Sequence, residues 1–303
     1  MGGLGRLQRI CSDAPRGARL SDLFAQLRPA GHIRASLGGF EDVRWFRHVA
    51  IPEGGRSEGR SSLSVVTIRR GNEINWPTGW HVTWTAETGS TNADLIEAGA
   101  NGAPSRTVLA ADHQSAGRGR LDRRWDAPPG VNLLVSILLR DLPTHSHELI
   151  QRIALAAVEA VRSTAGVRAM LKWPNDLLVD GAKLAGILAQ ASTSDDGPFV
   201  VVGLGLNIGW APSDAARLGG ATTPRAVLAV LLEAYDALPA DITDLYRQHL
   251  GTIGQLVRIE LPGEQVLVGR AIGVEPDGRL VVLDDCAVTH RIDTGDVIHL
   301  RPA

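Results

Sequence analysis

Apolar and polar positions follow three different rhythms along this 303-residue chain. Up to about residue 70 no period persists. Leu20, Leu23, Phe24 and Leu27 fall at helical spacing, but Pro29-Ala30-Gly31 interrupts before the second helix of a helix-turn-helix could form. The stretch Ile51–Ser62 reads as a linker. From about Trp80 to residue 250, strand and helix patterns are interspersed. Strands are predicted over His81–Thr85, Thr107–Ala111, Val131–Leu139, Val167–Trp173, Leu177–Val179, Ala182–Ala191 and Phe199–Ile208. Helices are predicted over Ala93–Ala98, Glu148–Ser163, Pro224–Ala237 and Ile242–Leu250, the first with Ser90-Thr91-Asn92 as N-cap candidates. The last fifty residues switch to short alternating strands: Leu256–Leu261, Val266–Val274, Leu280–Leu283, Thr289–Ile292 and Val297–Leu300. With turn signals at Pro262-Gly263 and Asp277-Gly278, they predict a small β-barrel.

Three segments follow: a poorly structured basic extension over 1–70, a mixed α+β domain over 71–251, and a terminal β-domain over 252–303. Charge sharpens the first boundary. Residues 1–70 hold twelve arginines against six acidic residues, whereas the remainder carries nineteen basic against twenty-seven acidic. An acidic body weighs against general nucleic-acid binding, and no DNA-binding head is expected. The longest apolar runs fall far below the ~18 residues that span a bilayer. Residues 1–11 lack the apolar core of a signal peptide, so the expected location is cytoplasmic. Cys11 and Cys286 form no metal-like or redox-like spacing.

Two segments carry candidate chemistry. In Gly117-Arg118-Gly119-Arg120-Leu121-Asp122-Arg123-Arg124-Trp125, the glycines free the backbone for close approach and the arginines concentrate charge. Trp125 adds a stacking face, so the loop suits a phosphate-bearing aromatic ligand. An exposed Arg-rich loop paired by Asp122 and Asp126 accounts for the same residues. No Walker loop and no GxSxG elbow occurs in the sequence.

The second segment spans 171–190 and contains both lysines of the chain, Lys172 and Lys183, against 29 arginines. With Asp180-Gly181 as a two-residue turn, Leu178 faces Lys183 and Leu177 faces Leu184. Lys183 then lies diagonally from Asp176, with Ala185 and Ala189 on its face and Leu184 and Leu188 turned to the core. Lys183 either meets an anionic ligand or simply pairs with Asp176. Asn207, after an apolar run, is either a cleft residue or a turn residue. His145 and His147 read as solvated rather than as a metal site.

Together GSTN (89–92), QSAGRGRLDRRW (114–125), KWPNDL (172–177), KLAGIL (183–188) and GLGLNIG (203–209) resemble the biotin protein ligases, in that family's order and approximate spacing. The resemblance runs from about residue 80 to the C-terminus. It implies a mixed-sheet catalytic domain like that of class II aminoacyl-tRNA synthetases, with an SH3-like terminal domain. The implied reaction joins biotin and MgATP into biotinyl-5′-AMP, then passes biotin to a lysine of a biotin carboxyl carrier domain. By the same resemblance, Ser90, Thr91, Asn92 and Gln114 shape the biotin pocket, and Arg118, Gly119 and Arg120 line the loop that closes over it. Lys183 neutralises the biotin carboxylate; Lys183, Arg118 and Arg120 are the implied catalytic residues. Arg120, Arg123, Trp125, Lys172, Asn175, Asp176 and Asn207 hold the nucleotide, with Mg²⁺ carried by ATP near Asp176. Family members include dimers built through the catalytic sheet, and repressors with an N-terminal winged helix, a pattern from which residues 1–70 depart. A lipoate or octanoate ligase is the nearest alternative on the same fold; a bifunctional biotin-responsive transcriptional repressor is the other, if residues 1–70 fold as a DNA-binding domain.

Overall fold

The computed structural model describes residues 75–220, 222–261, 265–293 and 295–299; the expectations for residues 1–70 lie outside these. Twelve strands and four α-helices follow in order. They are β1 His81–Thr88, α1 Thr91–Ala100, β2 Thr107–Gln114, β3 Leu133–Leu139, α2 His147–Ala165, β4 Met170–Lys172, β5 Asp176–Val179, β6 Ala182–Ser194 and β7 Gly197–Leu206. Then come α3 Pro224–Asp236, α4 Thr243–His249, β8 Leu256–Leu261, β9 Gln265–Val274, β10 Leu280–Leu283, β11 Thr289–Ile292 and β12 Asp296–His299.

The first seven strands form one mixed sheet in the order β1-β2-β3-β7-β6-β5-β4, parallel between β1 and β2 and antiparallel elsewhere. Its two faces have different fates because side chains alternate along a strand. Leu133, Val135, Ile137, Val200, Val202, Leu204 and Leu206 point into the main core, covered by α2 and α3. Each such buried side chain contributes about 1.5–3 kcal/mol relative to exposure. Helix α2 presents Leu149, Ile153, Ala157, Ala160 and Val161 to this core and stops at Gly166, whose φ of 67° is the left-handed cap that glycine adopts freely. The opposite face carries Leu138, Phe199 and Val201 against Leu95 of α1. Past those residues it meets Ser136, Gly203 and Gly205, too small to fill the space, and a cavity opens there.

The last five strands form an antiparallel sheet in the order β11-β10-β9-β8-β12. It belongs to the same compact unit as the mixed sheet. The fully buried Trp173 binds the two, donating from its indole Nε1 to Gly278 O at 2.8 Å. No helix among the described residues is long and apolar enough to cross a membrane.

Three predicted strands lose residues, Val131–Leu139 beginning only at Leu133. Val167–Trp173 keeps only Met170–Lys172, and Phe199–Ile208 stops at Leu206 because the Ile208 amide turns to the side chain of Asn132 (2.9 Å). The hairpin register also differs. Leu178 faces Lys183 as expected, but a bulge follows, so Leu177 faces Ala185 and Asp176 faces Gly186. The extra residue flips everything beyond it. Ala185 and Ile187 enter the core with Leu184, whereas Gly186 and Leu188 join Lys183 on the cavity side.

Candidate active site

A cavity of about 340 Å³ lies between the open face of β3, β6 and β7, the N-terminus of α1, and the loop 114–126. Thirteen of the fourteen site residues expected from sequence line it, so segments up to 117 positions apart converge on one space. Lys172 is the exception. It pairs across the ladder with Asp176, and its charge is felt by Asp296, at the cavity wall, and by His299, outside it.

One end of the cavity is a buried polar network. Gln114 Oε1 accepts from both the amide (2.8 Å) and the hydroxyl (2.9 Å) of Thr91. The Thr91 hydroxyl also meets Ser136 Oγ at 2.7 Å, and Ser136 in turn donates to Asn92 Oδ1 at 2.5 Å. Asn92 Nδ2 completes the set by donating to Gln190 Oε1 at 2.8 Å. A Cβ at Gly203 would sit 2.3 Å from Asn92 Oδ1, so this glycine is the space into which the amide folds. Ser90 occupies the α1 N-cap position without making a side-chain cap bond, and it lines the cavity. Asn92 and Thr91 are therefore buried polar groups committed to one another, and such networks fix shape. Ser136 was missed from sequence, although it is the one polar residue in the strand LLVSILL.

The roof is the glycine–arginine loop. It folds as its own small hairpin, with Gly119 N donating to Arg123 O (2.7 Å) and Trp125 N to Gly117 O (3.0 Å). A Cβ on Gly117 would lie 2.4 Å from Trp125 O, so only glycine allows the strands of this hairpin to approach. Trp125 then lies against Gly186 and Gly205: a Cβ at 205 would meet its ring at 2.4 Å. Arg120 ties the roof to two other segments, donating to Asn175 Oδ1 (3.3 Å) and to Gly295 O (3.1 Å). Burial lowers the Arg120 pKa from its ordinary value, against the pull of Asp296 and Asp176, and guanidinium still stays charged. Arg123 forms an ion pair with Asp296 at the mouth. Burial pushes the Asp296 carboxyl up, but the hydrogen bond from Arg123 and the attraction of Arg123, Lys172 and Arg120 hold it below the usual range.

At the other end Lys183 Nζ stands 2.7 Å from Asp176 Oδ1 and 5.7 Å from the Trp125 ring centre. The register sets Asp176 opposite Gly186, where a Cβ would lie 3.2 Å from Lys183 Nζ, so the ammonium crosses the bare glycine to reach the carboxylate. Asp176 Oδ1 is sealed from solvent, with the Lys183 ammonium as its ion-pair partner. Asn175 is held by a reciprocal clamp, its Nδ2 donating to Ile187 O (2.7 Å) and its carbonyl accepting from Ile187 N (2.9 Å). Asn207 donates to Ala216 O (3.0 Å), which anchors the loop carrying Pro212, Asp214 and Ala215 against the cavity. That loop has no periodic pattern and was not expected at the site. Its anchoring partner, the buried Asn132, accepts from the amides of Ile208 (2.9 Å) and Trp210 (3.2 Å).

A mixed sheet thus offers a glycine-paved face roofed by an arginine loop and faced by one lysine, with a small β-sheet appended. Residues 85–207 match the biotin/lipoate A/B protein ligase family, and residues 252–300 match the biotin protein ligase C-terminal domain. The chain is 40% identical over 239 residues to the biotin–[acetyl-CoA-carboxylase] ligase of Mycobacterium tuberculosis, covering 71% of this chain and 88% of that one. A second ligase of that name, from Paracoccus denitrificans, is 38% identical over 53% of this chain and 67% of its own. A solved biotin protein ligase from Aquifex aeolicus in complex with biotin and ATP superposes with a TM-score of 0.61 at 25% identity, covering 73% of this chain and 99% of that one. The chain belongs to the biotin protein ligases of the biotin/lipoate A/B protein ligase family.

Proposed function

We propose that the protein joins biotin to ATP as biotinyl-5′-AMP, releasing pyrophosphate, and then transfers biotin to a lysine of a biotin carboxyl carrier domain, releasing AMP. The observation that carries this reading is the single cavity in which a buried polar network, an ammonium and an arginine roof stand in sequence. A ureido head offers N–H donors and a carbonyl acceptor, which match the Thr91–Gln114–Ser136–Asn92 set. The aliphatic tail fits beside Leu188 over Gly203 and Gly205, and the carboxylate then points toward Lys183.

The first step brings a carboxylate to an anionic triphosphate, so fixed cations must offset their repulsion. Lys183 serves the carboxylate, while Arg118, Arg120 and Arg123 serve the phosphates. Trp125 gives the adenine a stacking face, and Asn175 and Asn207 position the nucleotide. Asp176 lines the cavity and would offer its carboxylate to a magnesium ion accompanying ATP once Lys183 turns to the substrate, because Mg²⁺ takes one or two carboxylates beside phosphate oxygens. When bound, that ion supplies charge neutralisation at the triphosphate. No covalent enzyme intermediate is needed; rate comes from positioning and electrostatics. In this reading residues 71–251 are the catalytic domain, residues 252–303 lend contacts to its roof, and the reaction takes place in the cytoplasm.

In the free protein Lys183 is bound to Asp176, so biotin must compete with that carboxylate for the ammonium. The roof also has a testable duty, which is to keep the mixed anhydride from water. Arg120→Ala removes the tie to Asn175 and Gly295 at once. It is expected to release biotinyl-5′-AMP into solution several-fold faster; unchanged release, followed by chromatography of labelled adenylate, would show that Arg120 does not seal the site. Gly203→Ala is expected to push Asn92 from its pocket and weaken biotin binding by about tenfold or more, read by calorimetry. The reading as a whole is tested by ATP–pyrophosphate exchange, which biotin should support and lipoate should not.

A further inference from the structure

The turn that carries Asn175 and Asp176 hangs from a hydrogen-bond chain that ends in the terminal sheet. Trp173 N donates to Thr252 Oγ1 at 3.0 Å, and His299 Nε2, from β12, stands 3.1 Å from the same oxygen. The next residue is Pro174, which has no amide hydrogen, so Trp173 N–H is the last backbone donor before the two site residues. Alongside it, Gly251 N donates to Leu171 O at 2.8 Å. The segment entering the turn is thus laced to the 250–252 segment, and Thr252 is its last knot.

Thr252 is fully buried, so its hydroxyl has no water to turn to. Its oxygen already accepts from Trp173, and its one proton needs an acceptor. A neutral His299 with an unprotonated Nε2 provides it, and all three groups are then satisfied. A protonated His299 reverses the direction. Nε2–H would donate, the hydroxyl proton would lose its acceptor, and a second positive charge would face Lys172. Burial, first, and then the Lys172 ammonium lower the His299 pKa from its ordinary value. Among the described residues, Lys172 of β4 is the charged group whose field His299 feels; Asp296, the other ionised residue of β12, lies three residues away and pairs with Arg123.

We propose that His299 is a positioning residue for the nucleotide half of the reaction: in its neutral form it takes the Thr252 hydroxyl proton and so fixes the turn that presents Asn175 and Asp176. The proposal rests on the reading of that turn as a nucleotide site. It gives the terminal sheet a specific part in ATP binding, and makes that part acid-sensitive. Below the lowered His299 pKa the chain of bonds opens and ATP is held less well, while the biotin network around Asn92, on other segments, is untouched.

The test is a set of KM values for ATP and for biotin on the full-length protein between about pH 5 and pH 8. His299→Ala should raise KM for ATP about 5- to 30-fold at neutral pH and leave KM for biotin unchanged. His299→Gln, whose amide oxygen accepts at every pH, should restore the neutral-pH value and remove the acid-side rise seen in the native protein. Protonation of ATP affects all variants alike and cancels in the comparison. Thr252→Val, which keeps the shape but not the hydroxyl, should resemble His299→Ala. Equal rises in both KM values, or identical pH profiles for native protein and His299→Gln, would overturn the proposal. Asn175→Ala separates the two ideas. An unchanged KM for ATP there would remove the nucleotide reading of the turn; a raised KM, with His299→Ala inert, would remove the role of His299 alone.

Discussion

Replacing Lys183 by alanine should slow biotin-dependent pyrophosphate release by about 10- to 150-fold, the effect of losing a charge-assisted contact of about 1.5–3 kcal/mol. Lys183 is the one ammonium lining the cavity, and it stands beyond Gly186 and Leu188 on the floor that leads from the polar network. Arginine would be a poor substitute. A rigid fork cannot turn from a carboxylate to a phosphate in the space left beside Trp125, whereas a compact ammonium on a flexible stem can. Lys183→Arg should therefore recover only part of the rate. Pyrophosphate release at the native rate in Lys183→Ala, with the protein folded as judged by circular dichroism, would remove Lys183 from the mechanism.

Asp176→Asn should move the two substrates in opposite directions. The ammonium of Lys183 is shared with the Asp176 carboxylate in the free protein. Removing that competitor should tighten biotin, but modestly. The Lys183 side chain is 40% exposed, so solvent screens the pair and the gain is worth about 0–1 kcal/mol, at most about fivefold. In the proposed reading ATP should be held about 10- to 150-fold less well, because a neutral amide would no longer offer a carboxylate to the ion accompanying the triphosphate. Calorimetry with biotin and steady-state kinetics with ATP read the two effects separately. Parallel weakening of both would mean that Asp176 is a structural partner of Lys183 and not a competitor for it.

The two expectations depend on a detail that sequence rules placed only halfway. Asp180-Gly181 identified the hairpin and put Lys183 near Asp176, because a two-residue turn fixes the first pairs. The bulge after Leu178 is set by which leucines the core will accept, a tertiary demand with no local signature. Leu184 stays in the core as the turn implies, but Ala185 and Ile187 are buried with it and Leu188 turns to the cavity, opposite to the alternation that the turn alone implies. Gly203 and Gly205 were legible as a pattern, GLGL, and the structure supplies the reason: one gives room to Asn92 and the other to Trp125. Lys172 looked equivalent to Lys183 by composition. Its place on the far side of the Asp176 ladder, toward β12, depends on how the terminal sheet docks, and a linear pattern carries no such information. Asn132 and the 209–220 loop were silent for a related reason, since their work is done by side chain–backbone bonds across the chain rather than by a period.

The most direct measurement is transfer of labelled biotin to a purified carrier domain by the full-length protein, with and without ATP. Label should appear on the carrier's lysine only when ATP is present, with one AMP formed per biotin transferred. Absence of transfer to each of several carrier domains, by protein that binds both biotin and ATP, would contradict the proposed reaction.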